Sequence, residues 1–180
     1  MSKKRIILGV TGSIAAYKAA DLVRRLKEKG LRVSVVMTKE AEHFVTPLTL
    51  SSLSGEKVHR SLFEEEFSGH MAHIELAHEA GLVVIAPATA NIIGKLACGL
   101  ADDLLTCVCL ATQAPLLIVP AMHDEMYKNK AVQGNCRTLK SRGVEFVEPI
   151  KGRLACGTMG EGHIAEIETI VKKIEAILKS

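Results

Sequence analysis

Residues Arg5 to Gly30 read RIILGVTGSIAAYKAADLVRRLKEKG, and this stretch decides the fold because it joins a buried strand to an amphipathic helix through a glycine turn. Ile6, Ile7, Leu8 and Val10 make the short apolar run of a strand covered on both faces. Gly9, Gly12 and Ser13 follow where the chain has to turn. In the helix beyond, Leu22, Val23 and Leu26 form the core-facing stripe, Arg24, Arg25, Lys27 and Lys29 the wet face, and Gly30 suits the C-terminal cap. A helix that starts straight after a buried strand aims free N–H groups and the positive end of its dipole at the carboxyl edge of the sheet, which suits a phosphate.

The turn excludes two common phosphate ligands. Its spacing is Gly9-x-x-Gly12-x-x-Ala15, not the Gly-x-Gly-x-x-Gly of dinucleotide folds, and no Gly-Lys-Ser/Thr follows for a nucleoside triphosphate. A second strand, Leu31 to Met37, ends in Thr38-Lys39, where an NAD-binding fold would carry an acid for the ribose hydroxyl. A phosphate monoester fits better, with FMN in a flavodoxin-like fold as the simplest case.

Working outward, the same unit recurs. Lys39 to Phe44 starts a helical stretch that Pro47 restarts and Gly55 ends; Leu82 to Ala86 is a strong strand leaving through Pro87-Ala88-Thr89-Ala90-Asn91 into a helix, Ile92 to Leu100. Asp102-Asp103 caps a helix over Leu104 to Thr112, and a strand, Leu116 to Val119, runs into Pro120-Ala121-Met122-His123. A helix from Glu125 to Arg142, interrupted near Gly134, precedes a short strand at Val144 to Val147, and an amphipathic helix from Ile164 to Leu178 ends the chain. Between them, Gly152 to His163 holds four glycines and is expected to be irregular and mobile. Strands alternating with helices give an α/β fold: a single-domain, Rossmann-like or flavodoxin-like parallel sheet with helices on both faces, its turns converging on one edge.

Composition agrees. Of 180 residues, 48% are apolar and only 3% aromatic, a balance that suits a parallel α/β core and not a base-stacking surface. The net charge of +3 comes from bases mixed with acids on helix faces, so neither a nucleic acid nor a membrane surface is an expected partner. The uncharged run from Leu104 to Met122 is broken by Gln113, Pro115 and Pro120 and divides into a buried helix and a buried strand instead of a membrane span. Five cysteines without CxxC spacing or a secretory signal are expected to be reduced thiols of a cytoplasmic protein.

Among the reactive side chains, His73 is the first candidate for proton transfer, since imidazole titrates nearest neutrality. His43, His59, His70 and His78 are assigned to structural roles. His123 follows a strand and therefore sits at the ligand-bearing edge, bracketed by Met122 and Met126. Cys156 lies in the glycine-rich stretch, where a thiol can reach a ligand; Cys98, Cys107 and Cys109 are expected to fill apolar helix faces, and Cys136 to lie on an exposed helix.

Five blocks, GVTGSIAAYK, HIELA, APATANIIGKLACGLADDLL, PAMHDEMY and LACGTMGEG, occur in this order over about the whole chain. Together they resemble the flavin-dependent cysteine decarboxylases, most closely the branch that acts on 4′-phosphopantothenoylcysteine in coenzyme A synthesis. The resemblance implies FMN contacts at Gly12, Ser13, Ile14, Thr38, Ala88, Thr89, Ala90, Asn91 and Ala121. It implies substrate contacts at Met122, His123, Ala155 and Gly157, catalysis by His73, and proton donation by Cys156 from a mobile clamp at about 151–163. It further implies homotrimers or multiples of them with FMN at subunit contacts, and a phosphopantothenate–cysteine ligase that is fused in many bacteria and here is expected to be absent or separate. The implied reaction oxidises the substrate's CH2–SH to a thioaldehyde, loses CO2 to an enethiolate and reduces that to 4′-phosphopantetheine. Two positions depart from the family's blocks: His123 replaces an asparagine and His163 an arginine. Other readings within reach are a peptidyl-cysteine decarboxylase, a flavin prenyltransferase and a non-catalytic flavin-binding regulatory subunit.

Overall fold

The computed structural model describes residues 5–63, 71–153 and 157–179. Strand β1 (Arg5–Val10) passes through a 3-10 turn at Ile14–Tyr17 into α1 (Lys18–Glu28), and Gly30 takes the left-handed conformation (φ 73°) just past the helix end. After β2 (Arg32–Met37) come a 3-10 turn at Lys39–His43 and α2 (Pro47–Ser54). Thr46 caps α2 ahead of a proline at the first helical position, and Gly55 (φ 73°) stops it. Helix α3 (Ala72–Glu79) leads into β3 (Ala80–Ala88), α4 (Ala90–Cys98) and α5 (Leu104–Ala111), the last fixed by a reciprocal capping box between Asp103 and Thr106. The chain continues through β4 (Leu116–Pro120), α6 (Asp124–Lys128), α7 (Lys130–Ser141), β5 (Glu145–Phe146), β6 (Ile150–Arg153), β7 (Met159–His163) and α8 (Ile167–Lys179).

The five parallel strands lie in the order β2-β1-β3-β4-β5. Alternate residues of each strand face opposite layers. Ile6, Leu8, Val10, Leu82, Val84, Leu117 and Val119 pack with α1, α2 and α8. Ile7, Val83, Ile85 and Ile118 pack with α3, α4, α5 and α7. These strand residues are fully buried, and each stabilises the fold by about 1.5–3 kcal/mol relative to exposure. Gly9 lets α5 approach the sheet: a Cβ there would lie 2.6 Å from Leu105 Cδ1.

The 104–122 run divides as its breakers indicate, and no helix among the described residues is long and apolar enough to cross a membrane. Two expectations are corrected. The helix after His123 breaks at Asn129, not Gly134, because the Asn129 side chain accepts the Ala131 N–H at 2.9 Å and starts a new helix. The glycine-rich stretch is regular where described: β6 and β7 form an antiparallel ribbon. Its glycines serve close approach, for a Cβ at Gly162 would lie 2.0 Å from the Met122 carbonyl oxygen and one at Gly160 would lie 2.7 Å from the Asp124 side chain.

Candidate functional site

In a 2-1-3-4-5 sheet the chain leaves β1 and β3 toward opposite neighbours, opening a crevice at their carboxyl ends. Both exit loops meet there. Thr11, 1% exposed, donates from Oγ1 to the Pro87 carbonyl at 2.7 Å and accepts the Thr89 N–H at 3.1 Å. Ser13 Oγ accepts the Ala15 N–H at 3.3 Å, and Thr89 Oγ1 caps α4 through Ile92 N at 3.4 Å. The backbone of Thr38, just past β2, donates to the Val10 carbonyl at 3.0 Å, while its Oγ1 is buried without a hydrogen-bond partner. Gly12 faces Glu40, where a Cβ would lie 2.4 Å from Glu40 Cβ.

These loops border a cavity of about 590 Å³. Of the residues singled out in the sequence, it brings together Gly12, Ser13, Ile14, Thr89, Ala90, Ala121, Met122 and His123. Thr38, Ala88, Asn91, Gly157 and His73 are not in its lining; His73 is half-buried on α3. Cys156 and Ala155 lie outside the described residues.

The third loop and the ribbon complete the wall. The Ala121 N–H donates to the Ala88 carbonyl at 3.0 Å and the Met122 N–H to the Gly162 carbonyl at 3.1 Å, so the β6–β7 ribbon is tied directly to the exit of β4. His123 Nδ1 accepts the Glu125 N–H at 3.3 Å, capping α6. That bond puts the neutral ring's proton on Nε2, which is left as a donor. Next to it the Asp124 carboxyl is held below the usual range, first by the hydrogen bond from Lys128.

Eight further residues line the cavity that were not named as site residues from the sequence: Ala15, Tyr17, Lys18, Met126, Arg153, Gly162, His163 and Ile164. Lys18 had a signal, since it stands one helical turn beyond Ile14 on the same side. Arg153, Gly162 and His163 fall in the 151–163 stretch that the resemblance marks as a clamp, and the pairing of β6 with β7 shows how they reach the wall. The cysteine expectations also change: Cys136 is buried (3%) and Cys98 is exposed. Burial, with the charge of Asp103 secondary, pushes the Cys109 thiol up to about 12, leaving it inert at neutral pH.

The donor set fits FMN. A glycine cradle, hydroxyls of Ser13 and Thr89, the orphaned Thr38 Oγ1 and helix N–H groups suit a phosphate monoester, and Ile14 and Met122 offer apolar surface to a flat ring. Sheet order and crevice together define a flavodoxin-like nucleotide-binding protein. The chain belongs to the Flavoprotein family, whose model matches residues 1–179.

The coenzyme A biosynthesis bifunctional protein CoaBC of Vibrio vulnificus (strain YJ016) is 49% identical over 175 residues, 97% of this chain and 44% of the relative, so the chain spans less than half the length of that protein. A cysteine-to-serine mutant of PPC decarboxylase complexed with pantothenoylaminoethenethiol superposes with a TM-score of 0.89 at 34% identity, covering 99% of this chain and 100% of that one. The FMN-dependent cysteine decarboxylase SpaF superposes with a TM-score of 0.86 at 29% identity, covering 99% of each chain.

Proposed function

We propose that the chain is an FMN-dependent decarboxylase that converts 4′-phosphopantothenoylcysteine to 4′-phosphopantetheine for coenzyme A synthesis. The observation that carries this reading is the cavity at the β1/β3 crevice, whose wall joins a phosphate cradle to His123 and to the ribbon whose strands flank Cys156 in sequence. Its likeness to the CoaBC protein and to PPC decarboxylase supports the substrate.

Bound FMN supplies reversible hydride chemistry. Gly12, Ser13, Thr89 and Ala90 hold its phosphate end, Thr38, Ala88 and Asn91 back that cradle from the same loops, and Ile14 and Ala121 flank its ring. Met122 lines the substrate's path, Ala155 and Gly157 carry over as substrate contacts from the family resemblance alone, and the Nε2–H of His123 donates to the substrate carboxylate as an asparagine amide would. His73 takes the thiol proton in the oxidising half. Cys156 returns a proton to the enethiol in the reducing half, under a ribbon that keeps water out. The family resemblance implies a homotrimer, in which a second copy would deliver His73, absent from the lining of its own chain's cavity, and would cover exposed Ile14, Tyr17, Met71 and Ile74. We place the enzyme in the cytoplasm, with the ligase step on separate or additional chain.

Purified protein tests this directly. It should be yellow, with an FMN spectrum, and should release CO2 from 4′-phosphopantothenoylcysteine with the product mass of 4′-phosphopantetheine. A yellow protein inert toward that substrate but active on a cysteine-ended peptide would overturn the substrate, and one inert toward both would overturn catalysis.

A further inference from the structure

Helix α6 carries Met126 of the cavity wall and is capped by His123, yet none of its five residues is buried. Core packing therefore does not fix where this wall stands. Contacts to the ribbon do. Asp124, the first residue of α6, abuts β7 at Gly160, and the Tyr127 hydroxyl donates to Glu148 Oε2, two residues before β6 begins. Glu148 is in turn held from α7: Lys140 Nζ donates to its Oε1 at 2.5 Å and sits 5.0 Å above the centre of the Phe146 ring. Gln133, also on α7, donates from Nε2 to the Tyr127 carbonyl at 2.7 Å. Burial and the neighbouring Glu148 carboxylate push the Tyr127 phenol up, so it keeps its proton as a donor. Burial pushes Glu148 up as well, but the hydrogen bonds from Lys140 and Tyr127 outweigh it, and its folded value is lowered.

We infer that Tyr127 is a positioning residue for the reaction: its bond to Glu148 sets the spacing between the wall formed by His123 and Met126 and the root of the ribbon, and with it the fit of the site around the substrate. This rests on the proposed function and adds to it, since neither Tyr127 nor Glu148 lines the cavity. The Tyr127 N–H donates to the His123 carbonyl at 3.0 Å, so a shift of the phenol is passed directly to the residue that faces the ligand. A hydrogen bond to a charged carboxylate is about twice as strong as one between neutral groups, and Lys140 fixes the carboxylate that receives it.

Turnover kinetics and amide hydrogen exchange on flavin-loaded protein test it, with Y127F, E148A and the double variant compared with wild type. Y127F should raise KM for 4′-phosphopantothenoylcysteine by roughly fivefold, the scale of one hydrogen bond, while kcat, FMN absorbance per chain and Tm stay near wild type. Exchange should speed up in residues 124–128 and 150–153 and stay unchanged in β1, β3 and β4. E148A should raise KM in the same way, and the double variant should be no worse than E148A. Additive losses in the double variant, or faster exchange spread across the sheet, would overturn the assignment, the latter by reducing Tyr127 to a general support of the fold. If wild type releases CO2 and Y127F leaves KM unchanged, this inference fails and the proposed function stands; if wild type releases no CO2 from that substrate, the function fails and takes this inference with it.

Discussion

Thr11 Oγ1 donates to the Pro87 carbonyl at 2.7 Å, so one buried hydroxyl joins the exit loops of the first and third strands. The same oxygen accepts the Thr89 N–H at 3.1 Å, which sets where α4 begins. Thr11→Val keeps the shape but strands a buried acceptor and a buried donor. We expect a loss of about 1–3 kcal/mol, equivalent to a Tm drop of roughly 2–4 °C per kcal/mol for a chain of this size. FMN should also bind more weakly, because Thr89 and Ala90 line the cavity. Thermal denaturation with and without added FMN would check both; an unchanged Tm would show that the bridge is not stabilising.

His73→Asn should separate chemistry from flavin binding. The residue is outside the cavity lining, so the variant should keep its yellow colour and its assembly in light scattering while turnover falls by about a hundredfold or more, the scale of a lost general base. Loss of flavin alongside activity would mean that His73 holds the cofactor or the fold instead of moving a proton.

Acid should unfold the protein partly through Glu56. Its carboxylate joins the starts of β1 and β2, bonded to Arg5 at 3.2 Å, to Arg32 at 3.1 Å and to Ser34 Oγ. Burial tends to raise its pKa, but the Ser34 and Arg32 hydrogen bonds and the charge of Arg5 outweigh it, and the folded value is lowered. A lowered folded pKa contributes stability that is complete above the unfolded value of about 4.3 and is lost as pH falls through the folded one. Urea midpoints between pH 6 and pH 3 should therefore fall less steeply in Glu56→Gln than in wild type, with the two curves converging at the acid end; parallel curves would remove Glu56 from the acid response.

How far the sequence could be read follows from the range of the forces involved. The β1-turn-α1 unit, the division of residues 104–122 and the helix restart at Pro47 were visible because buried runs, capping side chains and proline act within a few residues. Asn129 was also a local signal, a capping residue overlooked in favour of Gly134. Cys136 belongs to an i, i+3 stripe with Leu139, both 3% exposed, which the surrounding lysines and arginines obscured. The ribbon was not legible. Its glycines look like disorder along the chain, yet they are demanded by Met122, Asp124 and His163 pressing on them across space. The Lys18–His163 pair, separated by 145 positions, belongs to the same class.

Gly162 and Gly152 give that last point an experimental form. A methyl at 162 meets the Met122 carbonyl oxygen at 2.0 Å, and the carbonyl belongs to the backbone that leaves β4, which cannot step aside without moving His123. A methyl at 152 meets His163 Cγ at 2.9 Å and Cβ at 3.0 Å, a shallower overlap that β7 relieves by a smaller shift. Gly162→Ala should therefore cost about 1–3 kcal/mol or more, visible as a lower urea midpoint and faster proteolysis in the 150–163 region. Gly152→Ala should cost less in stability, with the displacement of His163 loosening its 3.2 Å contact with Lys18. Equal destabilisation by the two alanines would mean that the ribbon is held by something other than its seat on Met122.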